Sequence, residues 1–217
     1  MSKQLNTALQ QMLPSARVKA MLLPEAEAIQ LWLVDPKPVD RAFTPDEVIA
    51  ILEHAPYWGF CWGSGLALAR YILDHPHELL GKRVIDFGAG SGVVAVAASM
   101  VGAEVIACDI DPVSQLACKE NALLNDVKYK VAGDLLALPR NQADLLIAAD
   151  VLYDRENLPW LDTFFCFADE VWVADSRVKN FSHPRYQLTD TFTAHTLPEL
   201  GEPYEFSDIR FYRSLKN

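Results

Sequence analysis

Short apolar runs alternate with helix-length segments over most of the chain. Val84, Ile85 and Phe87 form one run; Val105 to Ala107, Val127 to Val131, Asp144 to Ala149 and Glu170 to Ala174 form four more. Val127, Tyr129 and Val131 alternate with lysines, whereas the nearly continuous apolar run Asp144 to Ala149 predicts a central strand buried on both faces, as in parallel sheet. Between them lie three helical segments: the alanine-rich Val93 to Val101, a stretch opened by Asp111-Pro112, and Leu158 to Ala168. Asp111 suits an N-cap and Pro112 the first helical position. The alternation predicts an α/β fold: a Rossmann-like doubly wound, mostly parallel sheet with helices on both faces. Two β-rich runs, Leu188 to Leu197 and Phe206 to Leu215, close the chain.

Residues 1–55 read as an N-terminal helical and strand extension packing on a core of residues 56–217, the whole forming a single domain. Leu5, Leu9, Met12 and Leu13 share a helical face, and Val18, Met21 and Leu22 resume that stripe after Pro14. Ala28 to Val34 reads as a strand. Thr44-Pro45-Asp46-Glu47 has the spacing of a capping box, opening a helix to about His54. Ser64 is expected to cap a helix carrying Leu66, Leu68, Ala69, Ile72 and Leu73.

Charge and cysteine usage narrow the setting. The net charge is −10 over 217 residues, of which 51% are hydrophobic. Such a surface repels phosphate backbones, so no nucleic-acid partner is expected. Cys61, Cys108, Cys118 and Cys166 show no Cys-x-x-Cys spacing and read as reduced thiols. His75 and His77 bracket Pro76 without a third ligand, so no metal is expected. The N-terminal Met-Ser-Lys-Gln-Leu-Asn lacks the basic start and apolar run of a signal peptide, and no apolar stretch approaches the roughly 20 residues of a membrane span. A cytoplasmic protein with no membrane partner is expected. The oligomeric state is left open.

The candidate chemistry centres on Arg83 to Pro112. Gly88, Gly90 and Gly92 follow the first core strand, and Asp109 ends the second. A strand-end carboxylate there suits the two hydroxyls of a ribose. A dinucleotide fingerprint requires a third small residue where this chain has Val93. Asp86, at the tip of the first strand, would repel a pyrophosphate but suits a cationic ligand, which points to S-adenosylmethionine. Asp134, after the third strand, either accepts from an adenine amino group or caps its own loop. Tyr57, Trp58 and Trp62 crowd onto a glycine-containing loop, where they either wall an amine-binding slot through cation–π contact or pack in the core. Asp150 and Tyr153 stand three apart after the fourth strand. A carboxylate there can orient a lysine amine while an apolar slot lowers its pKa from about 10.4.

Pro56-Tyr57-Trp58, Trp62 with Gly63 to Arg70, Val84 to Gly92, Ala107 to Pro112 and Asp150-Val-Leu-Tyr-Asp together resemble the seven-β-strand class I methyltransferases. More narrowly, the chain resembles the protein lysine methyltransferases with Asp-x-x-Tyr after the fourth strand, and among these the branch acting on the electron-transfer flavoprotein β-subunit. The likeness covers roughly residues 28 to 175. It implies a seven-stranded sheet, S-adenosylmethionine as methyl donor, and a protein substrate carrying an exposed lysine. It assigns Gly88, Ala89 and Gly90 to the donor, with Gly92 and Ile110 beside them, Asp109 to the ribose, Trp62 and Ala149 to the pocket wall, and Asp150 with Tyr153 to the target side chain. Methylation of a small molecule or of histidine, and a non-catalytic S-adenosylmethionine-binding module, are the alternatives. The chain departs from the branch at Ser91, where a cysteine is expected, and at Asp175-Ser-Arg-Val, in place of a Gly-Asp-Pro-Gly-like turn. That turn, with Tyr57, Trp58 and Tyr153, is the expected substrate rim.

Overall fold

In the computed structural model, residues 2–37, 44–178, 182–199 and 201–215 are described. The first five core strands are β3 (Arg83–Phe87), β4 (Glu104–Cys108), β5 (Lys130–Ala132), β6 (Ala143–Ala149) and β7 (Ala168–Asp175). With β8 (Tyr186–Thr193) and β9 (Asp208–Ser214) they form a seven-stranded sheet in the order β5-β4-β3-β6-β7-β9-β8. Pairing is parallel from β5 through β7, and β9 inserts antiparallel between β7 and β8. The order reverses between β3 and β6, the switch point where open α/β sheets form ligand crevices.

The pleat divides the core. Val84, Leu145 and Ile147 face one side, with α3 (Gly63–Asp74) and α4 (Val93–Met100) over them; Ile85, Leu146 and Cys108 face the other, under Leu161, Phe164 and Phe167. Every residue from Leu145 to Ala148 is fully buried, which is why this strand reads as a continuous apolar run.

The extension begins with α1 (Lys3–Met12), capped by the Ser2 hydroxyl, which accepts from Leu5 N–H. The expected helical continuation over Val18 to Leu22 is instead β1 (Val18–Leu23), paired antiparallel with β2 (Ala26–Val34). Pro14 stops the helix, and Pro24-Glu25 allows a tight turn with Glu25 at φ 66°. Pairing across that turn decides the conformation over a weak helical stripe. Helix α2 (Pro45–Glu53) opens on the expected capping box: Thr44 N–H donates to Glu47 Oε2 at 2.9 Å, and Glu47 N–H to Thr44 Oγ1 at 3.3 Å.

Three other expectations change. Trp62, not Ser64, precedes the first turn of α3, and the Ser64 side chain turns elsewhere. The third core strand shrinks to Lys130–Ala132. The expected helix from Leu158 to Ala168 resolves into a short α6 (Trp160–Thr163) between 3₁₀ turns. Phe164-Phe165-Cys166-Phe167 is a poor helix former, and Phe164 meets Phe87 edge-on and stacks on Trp160 instead. Helix α5 (Pro112–Leu124) starts as expected, with Asp111 accepting from Val113 and Ser114 N–H. Among the described residues the four cysteines are free, no group of side chains could hold a metal, and no helix is long and apolar enough to cross a membrane.

Candidate active site

A cleft of about 660 Å³ opens outside the carboxyl ends of β3, β4, β5 and β6, within the size range of small-molecule sites. Gly88 and Gly90 form one wall, Asp109 and Ile110 the next, then Asp134, then Ala149, Asp150 and Tyr153. Tyr57 and Trp62, from the loop before α3, close it from above. The structure thus brings ten of the fourteen expected site residues to one cavity.

The glycine loop fits a close ligand. Gly90 adopts φ 53°, and a Cβ there would meet only Gly88 O at 3.9 Å, pointing into open space. A side chain at that position would fill room that a ligand needs. Gly92 is glycine for a different reason. Its φ is 78°, and a Cβ would press on Tyr129 Oη at 3.0 Å and Cys118 Sγ at 3.2 Å. It faces α5 rather than the cleft.

Asp109 sits at the end of β4 with both oxygens engaged. Gly90 N–H donates to Oδ2 at 2.8 Å and Asp111 N–H to Oδ1 at 2.9 Å. Burial raises its pKa, and these backbone bonds oppose the rise. The carboxylate is aimed into the cleft with lone pairs to spare, since about four acceptor sites serve two donors. Asp134 accepts from Leu136 N–H at 2.8 Å, the expected loop cap, and it also lines the cleft.

Asp150 occupies the strained left-handed region at φ 52°, a conformation that costs a non-glycine residue about 1–3 kcal/mol. Its N–H is held by Ala174 O at 3.0 Å. Ser64 clamps its carboxylate twice, through the backbone N–H to Oδ2 at 2.8 Å and the hydroxyl to Oδ1 at 2.6 Å. Ser176 Oγ lies 3.4 Å from Oδ1. Burial pushes the Asp150 pKa up to about 6, with the Ser64 hydroxyl opposing and Asp175 adding to the rise. Tyr153 is half exposed, and its ring lies 5.9 Å from that of Tyr57, which lies 5.9 Å from Trp62. Trp62 Nε1–H donates to Tyr57 O at 3.0 Å, fixing the loop. The three rings form an aromatic rim beside Asp150.

Four expected site residues lie outside the cleft. Trp58 is 1% exposed and packs with Leu5, Leu9, Val34 and Ala117; it belongs to the core beneath the rim. Asp86 is buried, and its Oδ2 accepts from Ala95 N–H at 3.0 Å. It ties β3 to the first turn of α4 and does not line the cleft. Burial raises its pKa to about 7. Ala89 is packed in the core, and Gly92 faces α5 as described.

Sequence reasoning missed Ser64 as the partner of Asp150, and although it placed the Asp175-Ser-Arg-Val turn at the substrate rim, it missed what Asp175 and Arg177 bind there. Asp175 is buried and accepts from Leu152 N–H at 3.1 Å, Arg177 N–H at 2.8 Å and Val178 N–H at 2.9 Å, joining the segments after β6 and β7. The signal was available: Asp175 ends a strand, as Asp109 does. Arg177 lines the cleft, lies 4.3 Å over the Phe206 ring and pairs with Glu202, which in turn accepts from Thr196 Oγ1 at 2.6 Å. The segment expected to border the substrate after Asp175 is described only as far as Val178, and residues 179–181 lie outside the described residues.

The profile of the family described as ribosomal protein L11 methyltransferase (PrmA) matches residues 67–154. The electron transfer flavoprotein beta subunit lysine methyltransferase of Homo sapiens is 32% identical over 179 residues, covering 76% of this chain and 68% of that protein. The chain belongs to the family of the electron transfer flavoprotein beta subunit lysine methyltransferases. The Rattus norvegicus member is 34% identical over 157 residues, covering 66% of this chain, and the chain spans only 60% of that protein's length. Among solved structures, magnesium protoporphyrin IX methyltransferase from Synechocystis with bound SAM superposes at a TM-score of 0.55 with 14% identity, over 82% of this chain and 86% of that one. The fold is that of the class I methyltransferases. In this member of the lysine methyltransferase family, the glycine loop, Asp109 and the Asp150–Tyr153 segment all open onto the same cleft.

Proposed function

We propose that the protein transfers a methyl group from S-adenosylmethionine to the ε-amine of a lysine on a protein substrate, and that the substrate is the electron-transfer flavoprotein β-subunit named in its relatives. The observation that carries this reading is the meeting of two features in one cleft. Acidic strand ends and an open glycine loop line one part; Asp150 and an aromatic rim line the other.

The lining fits the donor. Carboxylates at Asp109 and Asp134 suit ribose hydroxyls and an adenine amino group, and their charge suits a cationic ligand rather than a pyrophosphate. Gly88 and Gly90 admit the ligand against the main chain, while Ile110 and Ala149 supply apolar wall. When bound, S-adenosylmethionine supplies a methyl on a positively charged sulfur that departs as a neutral thioether.

The chain's own residues then prepare the acceptor. Tyr57, Trp62 and Tyr153 surround the lysine stem and keep water from the amine, which favours its uncharged form. Asp150 has one acceptor position left after Ser64 and Ser176, enough to take one amine N–H and aim the lone pair. The amine nitrogen forms its bond to the methyl carbon as the carbon–sulfur bond breaks, and the proton of the methylated ammonium passes to water. Alignment and water exclusion are the main contributions of such a site.

The acidic cleft and net charge of −10 disfavour nucleic acid as acceptor. The free thiols fit a reducing compartment such as the cytoplasm. Transfer of tritiated methyl from S-adenosylmethionine to the purified β-subunit, lost in Asp150→Ala but with donor binding retained, is the expected result. Donor binding without transfer to any protein in a lysate would instead indicate a non-catalytic module.

A further inference from the structure

Helix α5 carries two asparagines four residues apart that meet the free edge of the N-terminal hairpin. Asn125 Oδ1 accepts from Gln30 N–H at 2.9 Å, and its Nδ2 donates to Gln30 O at 2.6 Å. Asn121 Oδ1 accepts from Trp32 N–H at 2.7 Å. The spacing is natural: four helical residues rise about 6 Å, and two strand residues span about 6.6 Å. Side chains of α5 thereby satisfy main-chain groups that an edge strand would leave to solvent.

Asn121 does something that Asn125 does not. It is fully buried, and its Nδ2 donates to Ser91 O, in the middle of the glycine loop, at 2.8 Å. One turn earlier on the same helix face, Cys118 Sγ lies 3.6 Å from Gly90 O. The next loop residue, Gly92, is pressed between Tyr129 and Cys118. The loop's inner carbonyls are thus held by α5, while Gly90 N–H on its outer side reaches Asp109. A single amide group therefore links the hairpin on one side to the donor-binding loop on the other.

We infer that Asn121 is a positioning residue for the methyl-donor site: it transmits the docking of the N-terminal hairpin to the glycine loop and sets affinity for S-adenosylmethionine without touching it. This rests on the reading of the cleft as the donor site. Without the Asn121 amide, Ser91 O is a buried carbonyl lacking its donor, and the loop is expected to relax out of the geometry that presents Gly90. Asn125 serves as the internal control, because it makes the same kind of hairpin contact but does not reach the loop.

The test is calorimetric titration of S-adenosylmethionine into the full chain, wild type and variants, with thermal unfolding measured alongside. Asn121→Ala should weaken binding about tenfold or more, and Asn125→Ala less than twofold, although both lower the melting temperature. In methyl transfer, Asn121→Ala should raise KM for the donor while kcat at saturation stays within about twofold. Should Asn121→Ala fail to fold, Asn121→Asp makes the same comparison: it keeps an acceptor for Trp32 N–H but loses the amide donor to Ser91. Wild-type affinity in the Asn121 variant, or equal weakening in the Asn125 variant, overturns the inference. A wild-type protein that does not bind S-adenosylmethionine overturns the cleft reading itself, and this inference with it.

Discussion

Ser64 holds Asp150 at two points, its hydroxyl donating to one carboxylate oxygen at 2.6 Å and its backbone N–H to the other at 2.8 Å. Both donors favour the ionised carboxylate, against burial that pushes the pKa up to about 6. In transfer to lysine, log kcat/KM should rise with pH at a slope near one while the amine titrates. Below about pH 6 the slope should approach two, because Asp150 protonates as well. Ser64→Ala removes a bond to the charged form, so the Asp150 pKa rises further and the break moves to higher pH. An unmoved break in the pH–rate profile would separate Ser64 from Asp150.

Asp109 lies on the proposed donor side of the cleft. Asp109→Ala removes the strand-end acceptor and also leaves Gly90 N–H without its partner. Affinity for S-adenosylmethionine should fall about 10- to 100-fold, one to two charge-assisted hydrogen bonds' worth, as read by calorimetry. Asp109→Asn keeps one acceptor oxygen and should lose less.

Asp86 should govern stability as a function of pH. Its folded pKa of about 7 lies above its ordinary 3.8, so the folded state holds this proton more tightly than the unfolded state. Stability carried by the protonated form is present below about pH 4 and is lost as pH rises to about 7. Asp86→Asn keeps an acceptor for Ala95 N–H and removes the charge. Its melting temperature should fall less than that of the wild type between pH 4 and 7, and at pH 8 it should be the more stable by about a few kcal/mol.

Adjacent aromatics should behave differently. Trp58 is buried among Leu5, Leu9 and Val34, so Trp58→Ala should destabilise the protein by about 3–5 kcal/mol in denaturant unfolding. Tyr57 is half exposed on the rim, so Tyr57→Ala should leave stability nearly unchanged and raise KM for the protein substrate.

That contrast shows what the sequence could and could not reveal. The core strands were legible because burial on both faces writes itself as continuous apolar runs, as in Leu145 to Ala148. The capping box at Thr44 and the N-cap at Asp111 were legible because their partners are local. The cleft's strand-end acids followed from topology. Side-chain direction did not: Tyr57 and Trp58 are neighbours that point to opposite surroundings, and Asp86 bonds the first turn of α4 rather than lining the cleft. Hydrogen bonds between residues distant in the chain were also invisible, such as Ser64 with Asp150 and Asn121 with Trp32. The hairpin was misread because pairing of Val18 with Val34 outweighs a helical spacing that continues only briefly past Pro14.

The proposed methyl transfer is tested most directly by incubating the protein and its Asp150→Ala variant with S-adenosylmethionine and the purified electron-transfer flavoprotein β-subunit, then mapping the product by peptide mass spectrometry. Added methyl groups on lysine ε-nitrogens are expected with the wild type and none with Asp150→Ala. Methyl groups on another residue type, or equal lysine methylation by the variant, would contradict the proposed roles of the cleft and of Asp150.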